Sequence, residues 1–473
     1  MAVQLRTTMV GDAKKLAPAY SDIVIYAEGI PLNILNTKYN VKYRCSIFID
    51  GVNVAVLKAP PNNNKKAIFR ISSILQDYTE TDKSGYDLAG VSSGFQNQNM
   101  LEYNHAIHQI DKFARNRSNL NNCICIGGYE YSNTPSGNIL ISGSFGSDVN
   151  FNYFNSVLQH KDGYSTEGFI DYILNGNTKK FLTKFTNQFT NGKGQKIQLG
   201  QYHTVGFLNG KLYGNDLVNG QSTVSGIRYI TYDANDTQID ALTITNNSLS
   251  GGSSTNSIIT GNFVNQTSNT SEGLLYFGCG TAQLEQNGLD LSNVAYYVVV
   301  AVSGGVSKSQ SYRFDIQDAD CKGYETIRLA FLNSLGAWDY YNFTKKSTRT
   351  TQINKTPIKQ NYGYTPYLST TGFGDFFNYT YYNQGTYDGG TRVFNVNATE
   401  TIEANTDFIL EDEATILEEL FLSPDVYMQT GDIFEPVVIN ETEYIKQTTA
   451  NDMLKQYIIT IEKGHNKRVQ RLW

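Results

Sequence analysis

The stretch 39–49 constrains the fold more than any other part of the chain. Tyr39, Val41, Tyr43, Cys45, Ile47 and Ile49 alternate with Asn40, Lys42, Arg44 and Ser46, and Phe48 is the one apolar residue on the polar side. A period of two puts one face of a strand in a core and the other toward solvent. Asp50-Gly51 follows, a dipeptide that supplies the positive φ angles of a tight hairpin, and Val52, Val54 and Val56 resume the alternation. The pattern predicts a β-hairpin over 39–58, ended by Pro60-Pro61-Asn62-Asn63-Asn64. It also predicts that Val41, Tyr43, Cys45 and Ile47 share a buried face while Lys42, Arg44 and Ser46 share an exposed one.

Strand signals recur along the chain. Cys123 to Ile126 reads as a short strand closed by Gly127-Gly128. Asn209-Gly210 reads as a hairpin turn between 204–208 and 211–213. Strands are further expected over 226–231, 241–245, 257–259, 294–302, 311–316 and 457–461. Helical spacing is rarer. Tyr103, Ile107, Ile110 and Ala114 form a stripe within 99–116, and 166–174 is a second candidate with Phe169, Tyr172 and Ile173 on one face. The best helix is 411–422. Ile416, Leu417, Leu420 and Phe421 make its apolar side, Glu411, Asp412 and Glu413 lie in its first turn, and Ser423-Pro424 ends it. The segment 248–269 is rich in Ser, Asn, Thr and Gly and reads as a loop. The stretch 344–390 shows little regular pattern, and no fixed-period repeat is present. The expected fold is mostly β: several stacked β-sandwich domains of immunoglobulin or fibronectin type, with a few short helices and long irregular loops. The divisions expected are an N-terminal arm over 1–20, a sandwich over 21–150, a second β-rich domain over 151–320, and a C-terminal β-rich domain over 321–473.

Composition narrows the function classes. The 473 residues include 33 Tyr and 24 Phe, enough apolar surface for several cores. Charged residues are 17%, against roughly 25% in ordinary globular chains. The net charge of −6 leaves no basic excess to neutralise phosphates, so binding of nucleic acid or of a membrane surface is not expected. Residues 1–20 lack the apolar core of a secretory signal, and no run reaches the roughly 18 apolar residues of a membrane span. Five cysteines suit a reducing compartment better than a disulfide framework.

Candidate chemistry is sparse. Gly90-Val91-Ser92-Ser93-Gly94 matches a nucleophile elbow on paper, but a polar loop precedes it where a strand should enter. His105 and His108, three apart on an expected helix, join Cys123 and Cys125 as a possible zinc set. The Cys-x-Cys gap is tighter than usual, however, and suits two thiols packed on one face of a strand. Asp318-Ala319-Asp320 begins like a calcium loop, but Lys322 stands at the fifth place and Leu329 at the twelfth. Asp233, Asn235 and Thr237 lack the sixth-place glycine. Glu411, Asp412, Glu413, Glu418 and Glu419 read as a solvated helix face rather than an acid/base pair. No catalytic, cofactor-binding or metal-ligating residue is therefore expected, and an enzyme is not. The densest signal left is aromatic: Tyr362, Tyr364, Tyr367, Phe373, Phe376, Phe377, Tyr379, Tyr381, Tyr382 and Tyr387. Such rings suit a protein interface, with internal packing and sugar stacking as the alternatives.

One segment is more distinctive. Ile327-Arg328-Leu329-Ala330-Phe331-Leu332 reads as a buried strand, Asn333-Ser334-Leu335-Gly336-Ala337 as a turn, and Trp338-Asp339-Tyr340-Tyr341-Asn342-Phe343 as an aromatic strand. The segment resembles one found in structural proteins of tailed bacteriophages, especially crAss-like and related phages of Bacteroidota. The hairpin 39–58 with Ala59-Pro60-Pro61-Asn62 is similar to the N-terminal sandwich of such proteins, and 418–427 to their C-terminal stretch. The resemblance implies a virion subunit, assembled in the host cytoplasm, that forms a ring, collar or tail hub between portal and tail. Its implied partners are other portal, neck or tail proteins and copies of itself. A receptor- or glycan-binding tail protein is the alternative.

Overall fold

The computed structural model describes residues 3–7, 16–79, 107–109, 113–115, 120–142, 148–158, 169, 171–188, 192–208, 211–212, 215–216, 224–245, 274–317, 323–360, 390–409, 411–441 and 456–467. The chain is mostly β, built of sheets stacked face to face. In the first sandwich an antiparallel sheet of Gln4–Thr7, Val24–Glu28 and Ala67–Arg70 covers a larger sheet. That larger sheet runs in the order Leu16–Pro18, Val149–Phe154, Leu120–Ser132, Tyr39–Ile49, Val52–Ala59. Leu5, Ile25, Ala27 and Phe69 from one side meet Tyr43, Cys45, Ile47, Cys125 and Phe151 from the other.

The expected hairpin forms, with Asp50 at φ 48° and Gly51 at φ 83°, the pair of positive angles that a two-residue turn needs. Tyr43, Cys45 and Ile47 are buried as expected and Lys42 is exposed. Val41 is only half-buried, and Arg44 and Ser46 are half-buried rather than exposed. A register shift between Ile47 and Phe48 changes the phase of the second strand. Leu57 then faces Cys45 and Ala55 faces Ile47, while Val56 pairs with Ser46 on the outer side. The glycines expected to end the next strand do not: Leu120–Ser132 runs straight through Gly127 and Gly128. A Cβ at Gly127 would lie 2.8 Å from Leu5 Cγ, so glycine is there to let the two sheets close, not to turn the chain.

The second sandwich has the sheet order Gln195–Ile197, Tyr312–Ile316, Tyr296–Ser303, Gly226–Tyr232, Gln238–Thr245. It faces a smaller sheet of Thr204–Leu208, Leu274–Gly278 and Phe113–Arg115. Val205, Phe207, Leu275 and Phe277 meet Ile227, Tyr229, Val299 and Phe314 between them. Two expectations fall here. Thr204–Leu208 pairs with Leu274–Gly278 and Lys211–Leu212 with Asn215–Asp216, so the two strands of the expected hairpin take other partners, and Asn209-Gly210 lies outside the described residues. The helical stripe in 99–116 is replaced, in its described part, by the 3-10 turn Ile107–Gln109 and the strand Phe113–Arg115, which completes the small sheet against Leu274–Gly278. An open sheet edge outcompetes a local helical preference. The described part of 166–174 is likewise 3-10 turn with an isolated bridge from Ile173 to Leu208, not α-helix.

The third layer is a seven-stranded sheet in the order Trp338–Phe343, Ile327–Leu332, Val426–Thr430, Ile433–Ile439, Ile458–Lys463, Gly390–Asn405, Thr348–Gln360. The helix Glu411–Leu422 has the bounds its apolar stripe predicts, and it packs Ala414, Ile416, Leu417 and Leu420 against Leu329, Phe331, Ile402 and Ile461. On the opposite face, Ala330, Leu332, Trp338 and Tyr340 meet Phe154, Leu208, Leu274 and Tyr276 of the other two layers. The distinctive segment 327–343 is thus covered on both sides, which is why its strands read as near-continuous apolar runs.

Candidate functional site

Between the seven-stranded sheet and the small sheet lies a sealed polar cluster. Arg328 is 2% exposed. Its guanidinium donates to the Tyr202 carbonyl from Nη2 at 2.7 Å and from Nε at 3.1 Å. Nη1 donates to Asn342 Oδ1 at 2.8 Å, and Nη2 lies 3.2 Å from His203 Nδ1. No carboxylate salt-bridges it among the described residues, so carbonyl and amide dipoles and the Tyr340 ring, 5.0 Å away, hold the charge. Burial lowers the Arg328 pKa to about 10.

Two imidazoles complete the cluster. His108 Nδ1 lies 2.8 Å from the Tyr340 hydroxyl, and its ring stacks on Phe434 at 4.5 Å between centroids. Burial, helped by the charge of Arg328, pushes its pKa down to about 3, and the same two causes hold His203 well below the ordinary histidine range. Both rings are neutral near pH 7, and His203 Nδ1 accepts from Arg328. On the other face of the same strand pair, Asp339 accepts from Thr183 Oγ1, from Lys184 N at 3.1 Å and from Asn333 Nδ2 at 2.9 Å, and burial raises its pKa to about 6. These groups bond to one another and to backbone. A general base needs reach to a substrate proton, and the shell around these groups closes it off. The arrangement braces the layers.

The remaining candidate residues are dispersed. His108 belongs to the core around Trp338, whereas Cys123 and Cys125 lie with Cys45 in the first sandwich. The three described members of the possible zinc set are therefore split between two cores, and His105 lies outside the described residues. The elbow 90–94, Asp318 to Asp320 and the aromatic stretch 362–387 also lie outside them. Asp233 Oδ1 accepts the backbone N–H groups of Asn235 and Thr237, each at 2.8 Å, so its carboxylate serves its own turn. The helix carboxylates are not all solvated: Glu413 pairs with Lys196 at 3.7 Å, and Glu419 accepts from Ser334 N at 2.8 Å.

Two surface clefts have their polar groups engaged as well. One of about 660 Å³ is lined by Lys193, Asp236, Tyr296, Arg313 and Asp315. In it Arg313 donates to Asp315 at 2.8 Å and lies 3.6 Å above the Tyr296 ring. The other, of about 580 Å³, lies between Tyr20, Ser334, Glu419 and Leu422.

The feature that sequence reading missed is an arm. Thr348–Gln360 and Gly390–Asn405 pair along their whole length, but Ile458–Lys463 flanks the second strand only from Thr401 to Asn405. Among the described residues a single further bridge joins Ala398 to Lys467. Beyond it, 353–360 and 390–397 continue as a two-stranded ribbon in which no described residue is buried. Ile353, Val393 and Phe394 are 55%, 38% and 42% exposed. With both faces in solvent the ribbon carries no alternation, which is why the described part of 344–390 reads as irregular. Its available signal was the density of β-branched residues, from Thr348 to Ile358 and at Thr391, Val393 and Val396.

No family model matches this chain, and no curated protein matches it. Solved structures similar to it include trypsin-activated alpha-2-macroglobulin from Escherichia coli, at 7% identity over 98% of this chain and 33% of that one, with a TM-score of 0.18. The native conformation of the E. coli alpha-2-macroglobulin is matched at 6% identity, 93% and 34% coverage and a TM-score of 0.17. The chain spans about a third of the length of these proteins.

Proposed function

We propose that this chain is a structural subunit of a tailed-bacteriophage virion, forming a ring, collar or tail hub between portal and tail through contacts with copies of itself and with neighbouring virion proteins. The observation that carries this reading is the arm. A two-stranded ribbon without a supporting layer is marginal in water, and exposed apolar strands invite pairing with another chain. An arm of this kind gains its stability where a neighbour covers it. The resemblance of 327–343, 39–62 and 418–427 to phage structural proteins points to the kind of assembly. The enclosed polar cluster, which braces layers and does not meet solvent, suits a rigid part of an assembly.

Electron micrographs of the purified full chain test this reading. Closed rings of uniform size are expected. A protein that stays monomeric at every concentration and binds a bacterial surface polysaccharide would instead be a receptor- or glycan-binding tail protein.

A further inference from the structure

The same sheet that launches the arm also leaves one of its faces open. The helix Glu411–Leu422 covers the side of Ile402, Ile459 and Ile461. On the other side, cross-strand pairing puts Val438 beside Glu462 and Glu462 beside Thr401, with Thr460 beside Glu403 and Ile458 beside Asn405. Val438 is 54% exposed and Ile458 63%. Where these three strands lie side by side, the charged side chains on this face are Glu403 and Glu462, and neither is in an ion pair with a lysine or arginine among the described residues. Glu462 accepts from Asn440 at 2.7 Å. The open face is therefore apolar and acidic.

The arm is its complement. Residues 353–360 and 390–397 contain Lys355, Lys359 and Arg392 and no aspartate or glutamate, on a chain whose net charge is −6. Lys355 and Lys359 are exposed and Arg392 is half-buried, and none of the three meets a carboxylate among the described residues. Ile353 and Val393, on the same face of the ribbon as the two lysines, supply the apolar part.

We infer that the arm of one copy packs on the open face of the seven-stranded sheet of a neighbouring copy, with Lys355 and Lys359, which share one face of the ribbon while Arg392 lies with Ile358 on the other, against Glu403 and Glu462 and with the apolar residues of each between them. The inference rests on the reading of the chain as a self-assembling subunit and names the surfaces that meet. Arm and face are different patches. When the contact is head-to-tail the assembly closes as a ring wherever the rotation permits. Charge complementarity of this kind sets register and excludes wrong partners.

The test uses the full chain in three charge-reversed forms, with mass measured by sedimentation equilibrium and folding checked by near-ultraviolet circular dichroism. Lys355→Glu/Lys359→Glu and Glu403→Lys/Glu462→Lys should each weaken self-association by at least about tenfold per reversed pair while leaving the fold intact. Because none of the four positions is buried, the combined form should fold, and it should recover most of the lost association with its charges exchanged. Rings that persist unchanged in the arm-reversed form overturn this inference and leave the ring-subunit reading standing. A monomeric parent protein overturns both. A combined form no better associated than its parents overturns the pairing of these two surfaces. Loss of heparin retention on arm reversal, with mass unchanged, would make the occupant an external polyanion instead.

Discussion

The Tyr340 hydroxyl and His108 Nδ1 lie 2.8 Å apart although 232 residues separate them in the chain. Around that bond, two sheets and a 3-10 turn meet on Arg328 and His203. Neutral imidazoles, a buried guanidinium and backbone carbonyls satisfy one another there without a carboxylate. Such a cluster is sensitive to the loss of any one member, because the groups left behind stay buried.

The pH dependence of stability follows from the two imidazoles. A group whose folded pKa lies below its unfolded value contributes stability above the unfolded value and loses it as pH falls through the folded one. For His108 that window runs from 6.5 down to about 3. Asp339 runs the other way: its pKa is raised from 3.8 to about 6, so its contribution is full below 3.8 and lost as pH rises through 6. Urea unfolding between pH 4 and 7 should show His108→Gln flattening the acid limb by up to ~1.4 kcal/mol per pH unit. An unchanged acid limb would mean that His108 is protonated in the folded protein.

Arg328→Met should destabilise the fold by ~3–5 kcal/mol, since it strands the Tyr202 carbonyl and Asn342 Oδ1 inside the cluster. Arg328→Lys should also be costly, because one ammonium cannot reproduce the planar fork that spans both acceptors. Denaturant midpoints with an unchanged m-value measure this. A loss below ~1 kcal/mol for both would show that water takes the place of the guanidinium.

A Cβ at Gly206 would lie 2.7 Å from the Ala337 Cβ, where the small sheet touches the turn before Trp338. Neither side chain has a flexible end that could move away. Gly206→Ala should cost ~1–3 kcal/mol, and Ala337→Gly in the same chain should return a large part of it. A double-mutant cycle with no coupling would place the strain elsewhere.

Cys45, Cys123, Cys125 and Cys279 are fully buried. Contact with Cys125 and burial push the Cys45 thiol up, and burial pushes Cys279 up. Titration with a disulfide reagent should find these four inert in the native protein and reactive in denaturant. Stoichiometric zinc by elemental analysis, lost on Cys123→Ser, would contradict the reading of Cys123 and Cys125 as packed thiols.

Sequence determined what depends on neighbours along the chain. Alternation over 39–49 and the positive-φ preference of Asp50-Gly51 made the first hairpin legible, because strand faces and tight turns are local properties. The stripe of Ile416, Leu417 and Leu420, with Pro424 as its stop, did the same for the helix Glu411–Leu422. The apolar run of 327–332 announced a strand buried on both faces. Tertiary structure decided which edges meet. Thr204–Leu208 took Leu274–Gly278 in preference to Lys211–Leu212, and Phe113–Arg115 left a helical pattern to close a sheet, since an unpaired edge in the interior is costlier than a lost local preference. It also decided the polar cluster, since no spacing in the chain relates His108, His203, Arg328 and Tyr340. The arm escaped notice for the converse reason: a ribbon with no core behind it leaves no imprint of burial on its sequence.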